Sequence, residues 1–210
     1  MKQAKVLTST DTRKVLLYIT AHKHSARNKA MFLMTTDCGM RVGEVASIRI
    51  CDVLNSDGSI KDSIRLSAEQ TKGNHGRTVV LSQKMQQELH NYLSARFKLK
   101  DLLAVTLTDT TRALFASQKN YQRGFSANTL AQHFHYMYKY AGIMGASSHS
   151  SRRSFITKLS EMGVSVRVLM DLASRGAVTS KDTNCQSPVA VKDWLPGDPA
   201  IPSKASCSAP

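Results

Sequence analysis

The sequence contains no long apolar run. No stretch of about 18 or more apolar residues occurs in the 210 residues, so we predict no membrane-spanning helix. The first fifteen residues, MKQAKVLTSTDTRKV, have neither an apolar core nor a small-residue cleavage site, which argues against a secretory signal. These absences favour a cytoplasmic protein with no membrane partner.

Cysteine is scarce and forms no recognisable ligand pattern. None of the four cysteines belongs to a Cys-x-x-Cys pair or to a His/Cys ligand spacing. The histidines at 22 and 24, and those at 133 and 135, stand two apart, so neither pair shares a helix face. We therefore predict a reduced, intracellular protein with no metal and no other cofactor. The cysteines are Cys38, Cys51, Cys185 and Cys207.

Acidic residues are few relative to basic ones. Lysine and arginine total 29 against 15 aspartates and glutamates, a formal net charge of +14. This excess favours a polyanionic partner, above all nucleic acid; the alternative is a basic surface that is merely solvated. Charge alone does not distinguish DNA from RNA or from membrane phosphates.

Proline is absent from the first 187 residues, and tyrosine and phenylalanine are absent after Phe155. All five prolines lie in the last 23 residues. Residues 174–210 carry four basic and three acidic side chains, which leaves +13 on residues 1–173. We predict a folded, basic domain over 1–173 and a loop-like or disordered tail over 174–210.

Chemically distinctive residues concentrate in two stretches. In the first, an apolar helical run (31–34) leads to Gly-Met-Arg-Val-Gly-Glu at 39–44 and then to a short helix that ends at about residue 50. Two strand-like runs, 64–67 and 78–81, follow, and a polar turn with Lys72 joins them as a hairpin. In the second stretch, SHSSRRSFITKLSEMGVSVRVLMDLAS, His149 and Arg152 stand three apart at a predicted helix start.

Each of these residues also has a plain structural explanation. Arg41 could form a helix-start ion pair with Glu44. Lys72 could be a solvated turn lysine, and His149 an ordinary residue near a helix N-cap. Solvated surface is the default interpretation for four further arginines. They are Arg49, Arg77, Arg153 and Arg167.

In combination and in this order, Arg41, Lys72, His149 and Arg152 resemble the active-site residues of the tyrosine recombinase (phage integrase-type) family. The resemblance covers roughly residues 5–173. It implies a mainly α-helical α+β catalytic domain with a small antiparallel hairpin. It also implies double-stranded DNA as partner, a homo-oligomer on that DNA and a nucleoid location.

The family's chemistry assigns a role to each matching residue. A tyrosine attacks a DNA phosphodiester, which gives a 3′-phosphotyrosine and a free 5′-hydroxyl. The resemblance implies that Arg41 and Arg152 bind the nonbridging oxygens with their guanidinium forks. Lys72 would protonate the leaving 5′-oxygen, and His149 would bind phosphate or transfer a proton. Arg153 is expected to add a DNA contact, and no metal is needed.

The resemblance also identifies missing parts. The family pattern would place a second histidine at the position of Arg175 and the nucleophilic tyrosine near Asn184, but no tyrosine occurs after Tyr140. We hypothesise a frameshift near residue 173. The family's N-terminal core-binding domain is also expected to be absent. The chain is therefore predicted to be a site-specific DNA recombinase that acts in DNA integration and lacks its nucleophile. The alternatives are an inactive DNA-binding remnant or regulator, and a helical interaction module with no DNA role.

Periodicity and capping residues predict the other helices. The first is expected to be capped within 9–11 and to bury Val15, Leu16 and Ile19. Ala113, Leu114 and Phe115 form a predicted short buried segment. The remaining helices are predicted at 27–38, 83–97 (capped by Ser82), 128–141 (capped by Ser126), 150–161 and 166–173.

Overall fold

The computed structural model describes residues 3–71, 75–98, 100–102, 104, 109–118 and 123–174. These residues include eight helices of assigned bounds and one two-stranded antiparallel sheet, which confirms the predicted mainly helical α+β fold. The helices are α1 (Ser9–Thr20), α2 (Ser25–Thr36), α3 (Val42–Ser47), α4 (Ile50–Val53), α5 (Gln83–Arg96), α6 (Ala127–Tyr140), α7 (Ser150–Glu161) and α8 (Val166–Ser174); the strands are β1 (Ser63–Leu66) and β2 (Arg77–Val80).

The first helix starts with a capping box centred on Thr8. The Thr8 hydroxyl accepts a hydrogen bond from the Asp11 amide at 3.1 Å, and the Asp11 carboxylate accepts one from the Thr8 amide at 3.1 Å. The predicted cap within 9–11 was therefore wrong by one residue, because Asp11 acts from the third helical position. The caps predicted at Ser82 and Ser126 are confirmed.

The segment after α3 differs from the prediction of one short helix that ends at about residue 50. Ile48 is extended, with φ −64° and ψ 136°, so α3 stops at Ser47. The Arg49 amide then donates to the Asp52 carboxylate at 2.9 Å and starts the separate turn α4. The chain therefore bends between two short helices.

Helix α2 lies at the centre of the core and packs against α1, α3, α5 and α7. Its residues 31–34 are at most 2% exposed. Fully burying one such apolar side chain stabilises the fold by about 1.5–3 kcal/mol. Of the predicted buried segment, Leu114 and Phe115 are buried, whereas Ala113 is only partly buried. Phe134 and Tyr138 pack into the core from α6.

The hairpin presents one arginine to the core. Leu66 pairs with Arg77 and Ile64 pairs with Val79, and all four side chains are buried. Arg77 is 4% exposed, so its assignment to a solvated surface was wrong. The turn lysine, Lys72, lies outside the described residues.

No helix in the described ranges is long and apolar enough to cross a membrane. Of the predicted tail, only Ser174 is described, as the last residue of α8. The predicted division into 1–173 and 174–210 stays a prediction.

Candidate active site

Arg41 is placed by the tight loop between α2 and α3. Gly39 in this loop has φ +62°, and a Cβ there would lie 2.3 Å from the Phe155 ring of α7. Only glycine accommodates both the left-handed backbone and this close approach. The loop then delivers Arg41 as the N-cap residue of α3.

Glu44 anchors Arg41 from the first turn of α3. One carboxylate oxygen accepts from the Arg41 amide at 2.8 Å, and the other accepts from Arg41 Nη1 at 2.8 Å. The predicted alternative of a helix-start ion pair is thus observed, but the same carboxylate also accepts from Arg77 Nη2 at 2.5 Å. Burial alone would raise the pKa of Glu44, yet Arg77 and Arg41 outweigh it and hold that pKa below its ordinary value.

Arg152 reaches the same loop from α7. Its side chain is buried, and Nη1 donates to the Gly39 carbonyl oxygen. Burial, followed by the charges of Arg77 and Arg41, lowers the pKa of Arg152 to about 10, with Glu44 partly compensating. Arg152 therefore remains cationic at neutral pH and lies within electrostatic range of Arg41. The structure brings the two predicted phosphate ligands together.

His149 lies at the start of the helix that carries Arg152. It is the N-cap residue of α7 and is exposed. Its backbone amide donates to Ser147 Oγ at 3.3 Å, and its backbone carbonyl accepts from the Arg153 amide at 3.0 Å. Its ring makes no hydrogen bond within the described ranges, so it faces solvent at this end of α7.

Arg153 is turned toward the N-terminal segment. Its guanidinium donates to the Ala4 carbonyl oxygen and to Gln3 Oε1, each at 2.7 Å. These bonds attach α7 to residues that precede α1. The DNA contact expected of Arg153 stays a prediction.

The cluster has an excess of positive charge. Within the described part of the chain, the guanidinium groups of Arg41, Arg77 and Arg152 lie around the carboxylate of Glu44, and these four groups sum to +2. Arg41 is 30% exposed at its side chain, so it provides the solvent-facing part of this charge. Such a cluster is suited to binding an anionic oxygen group by charge-assisted hydrogen bonds.

No metal cluster accompanies the arginines in the part of the chain that the structure describes, where no three His, Cys, Asp or Glu side chains converge. Of the described tyrosines, Tyr138 is buried and hydrogen-bonded to Ser151, and burial raises its pKa. A buried phenol of this kind cannot reach a substrate as a nucleophile. Lys72, Arg175 and Asn184 all lie outside the described residues.

Sequence reasoning missed Arg77 and the loop contact of Gly39. A signal for Arg77 existed, because the Arg-Thr-Val-Val pattern of β2 places Arg77 on the same face as Val79. The contact between Gly39 and Phe155 joins residues far apart in the chain, so no local pattern indicates it.

Curated recombinases resemble this chain at modest identity. Tyrosine recombinase XerA of Pyrococcus furiosus is 25% identical over 177 residues, which cover 84% of this chain and 55% of that protein. A tyrosine recombinase of Pseudothermotoga lettingae is 28% identical over 155 residues, which cover 70% of this chain and 46% of that protein. The chain spans about half the length of these relatives.

Solved recombinase structures share the fold. The crystal structure of XerA recombinase matches with a TM-score of 0.63 at 21% identity, covering 82% of this chain and 57% of that one. XerH recombinase bound to its difH substrate matches with a TM-score of 0.59 at 20% identity, covering 81% of this chain and 47% of that one. The sequence profile of the phage integrase family matches residues 5–174. With its profile, its relatives and its fold in agreement, the chain belongs to the phage integrase family, the tyrosine recombinases.

Proposed function

We propose that this domain binds double-stranded DNA and holds one backbone phosphate between Arg41 and Arg152, as the phosphate-binding part of a tyrosine-type site-specific recombinase. The observation that carries the proposal is the convergence of Arg41 and Arg152, from two separate helices, on the loop at Gly39. The net charge of +14 supports a nucleic acid as the ligand, and the Tn1549 transposon integrase, which shares this fold, was solved in complex with transposon right end DNA.

Arginine pairs suit phosphoryl transfer because the transition state spreads charge over the nonbridging oxygens. Each guanidinium remains ionised and donates two fixed hydrogen bonds to such oxygens. Removing one preorganised donor of this kind typically costs about 10²–10³ in rate. His149, exposed at the start of α7, would add a further phosphate contact or a proton-transfer group. Lys72 would protonate the leaving 5′-oxygen.

A second candidate function is DNA occupancy without cleavage. The sequence favours it because no tyrosine follows Tyr140 in the 210 residues, and a tyrosine supplies the nucleophile in this family. In both functions the arginine cluster binds phosphate, and they differ only in whether a covalent bond to DNA forms. Assembly into a homo-oligomer on DNA belongs to the recombinase proposal.

The binding test compares Arg41→Ala and Arg152→Gln with the unmodified chain on a 20-base-pair fluorescent duplex. Each variant removes one phosphate contact, so its affinity should fall about tenfold at 0.1 M salt, and the slope of log K against log salt should shrink by about 0.9. Fluorescence anisotropy at several salt concentrations measures both quantities.

Arg13→Ala is the matched control, because Arg13 is an exposed arginine of α1 and its removal changes the net charge equally. It should change affinity by less than about twofold. Circular dichroism verifies that Arg152→Gln is folded. If both folded site variants bind as tightly as the unmodified chain, the proposal is wrong.

The cleavage test uses nicked duplexes of random sequence and denaturing electrophoresis. The 210-residue chain should form no covalent DNA adduct if it only occupies DNA. A protease-sensitive adduct would reject the second function, and peptide mapping of that adduct would identify the nucleophile.

A further inference from the structure

Arg77 joins three elements through one buried guanidinium. Its side chain is 2% exposed; Nη2 donates to Glu44 at 2.5 Å, and Nη1 donates to the Leu172 carbonyl oxygen at 2.9 Å. Strand β2 is thereby linked to the first turn of α3 and to the last turn of α8. Arg77 Nε has no hydrogen-bond partner among the described residues, so the side chain is held by these two contacts.

Arg77 and Arg41 share Glu44 unequally. The Arg41 side chain is 30% exposed, whereas that of Arg77 is 2% exposed. Arg41 can therefore meet a ligand from solvent, and Arg77 stays beneath it. A second cation on the carboxylate offsets part of its negative charge, so Glu44 attracts Arg41 less strongly and the positive potential at Arg41 is preserved.

Arg77 also caps α8. The last four carbonyl groups of a helix have no partner inside it, and Leu172 is two residues before the end of α8 at Ser174. A guanidinium at this position satisfies one such carbonyl and interacts favourably with the negative end of the helix dipole. Arg77 thus fixes the position of the last turn of α8 relative to Arg41.

We propose that Arg77 is a positioning residue of the phosphate site. It neutralises Glu44 so that Arg41 remains available to a DNA phosphate, and it fixes the end of α8. This inference rests on the proposed function, because the phosphate in question belongs to duplex DNA. Arg77 itself touches no substrate, since its guanidinium is buried beneath Arg41.

The first test is a double-variant comparison on the same fluorescent duplex. Arg77→Met leaves Glu44 paired with Arg41 alone and should weaken DNA binding about tenfold. Adding Glu44→Gln removes the carboxylate that then holds Arg41, so the double variant should return to within about threefold of the unmodified chain. A residue with only a structural role would give a double variant that binds no better than Arg77→Met.

The second test uses Arg77→Lys and amide hydrogen exchange. A lysine keeps the charge beside Glu44, but its compact ammonium lacks the fork that also reaches Leu172. DNA affinity should remain within about twofold of the unmodified chain, while exchange of the α8 amides should accelerate about tenfold. If Arg77→Met does not fold, Arg77→Gln takes its place in the first comparison, because it keeps hydrogen-bonding groups without the charge.

Two results would overturn the inference. One is a folded Arg77→Met or Arg77→Gln protein whose DNA affinity is unchanged, or whose lowered DNA affinity does not recover when Glu44→Gln is added. The other is Arg77→Lys with unchanged exchange in α8. Failure of the proposed function gives a different result. The unmodified chain would then not bind duplex DNA, or Arg41→Ala would bind it as tightly as the unmodified chain. Hydrogen exchange of the α8 amides would still accelerate in Arg77→Lys.

Discussion

Gly39 is the residue on which the geometry of the site depends most directly. Its carbonyl oxygen accepts from Arg152, its φ of +62° turns the chain toward Arg41, and its missing Cβ leaves room for Phe155. A side chain at this position would separate α7 from the loop. The two arginines would then no longer converge.

Gly39→Ala should destabilise the protein by about 2–4 kcal/mol, because the added methyl combines left-handed backbone strain with overpacking against Phe155. Urea unfolding measures this loss. Gly142→Ala is the control, since Gly142 has φ +75° and nothing within 4 Å of an added Cβ. It should cost only about 1 kcal/mol. Equal losses in the two variants would show that the Phe155 contact does not matter.

Glu44 gives the site a pH dependence. Its pKa is lowered from the ordinary value of 4.5, so its ion pairs stabilise the fold fully above that value, and this stabilisation is lost as the pH falls through the folded-state pKa. Glu44→Gln should cost about 3 kcal/mol at pH 7, because it leaves two guanidinium groups without their carboxylate. This difference from the unmodified chain should shrink below pH 4.5.

Urea midpoints between about pH 3 and pH 7 test this dependence. Glu69→Gln is the control, because Glu69 is exposed. The urea midpoint of Glu69→Gln should stay close to that of the unmodified chain at every pH in this range. A Glu44→Gln difference that does not change with pH would contradict the prediction.

At the scale of elements, local sequence signals were sufficient to predict a helix wherever that helix has its own capping residue and apolar stripe. Ser82 and Ser126 mark their helices in the sequence; α5 begins at Gln83 as predicted, and α6 begins at Ala127, one residue before its predicted start. The strands were predicted one residue late, because Ser63 and Arg77 are polar and both belong to the ladder. Burial of Arg77 depends on Glu44, 33 residues away, so propensity alone does not reveal it.

Helix α7 also fixes the N-terminal segment. Leu7 is buried, and its amide donates to Ser154 Oγ at 2.6 Å. Ser154→Ala should leave this amide without an acceptor, cost about 1–3 kcal/mol and accelerate its hydrogen exchange. Ser160→Ala, at an exposed position of the same helix, should change neither quantity. A Leu7 amide that is equally protected in both variants would show that Ser154 does not hold this segment.

At the scale of the whole molecule, composition predicts a polyanionic partner but not the location of the charge that would meet it. The net +14 is visible in the sequence, whereas the structure shows that part of it is used internally. Arg27 and Arg77 are buried, and Arg153 donates hydrogen bonds to the N-terminal segment. The charge available to a ligand is therefore smaller than the formal total, because only accessible cations release counterions from DNA.

Binding of the full chain to an arbitrary duplex should consequently have a moderate salt dependence. We expect a slope of log K against log salt of about −4 to −5, which corresponds to roughly five phosphate contacts. Affinity should then fall by about 10²–10³ between 50 and 200 mM salt, as measured by fluorescence anisotropy. A duplex of the same sequence with an uncharged methylphosphonate backbone is the control and should not bind. A slope near zero, or equal binding to the uncharged duplex, would show that the basic surface serves a partner other than the DNA backbone.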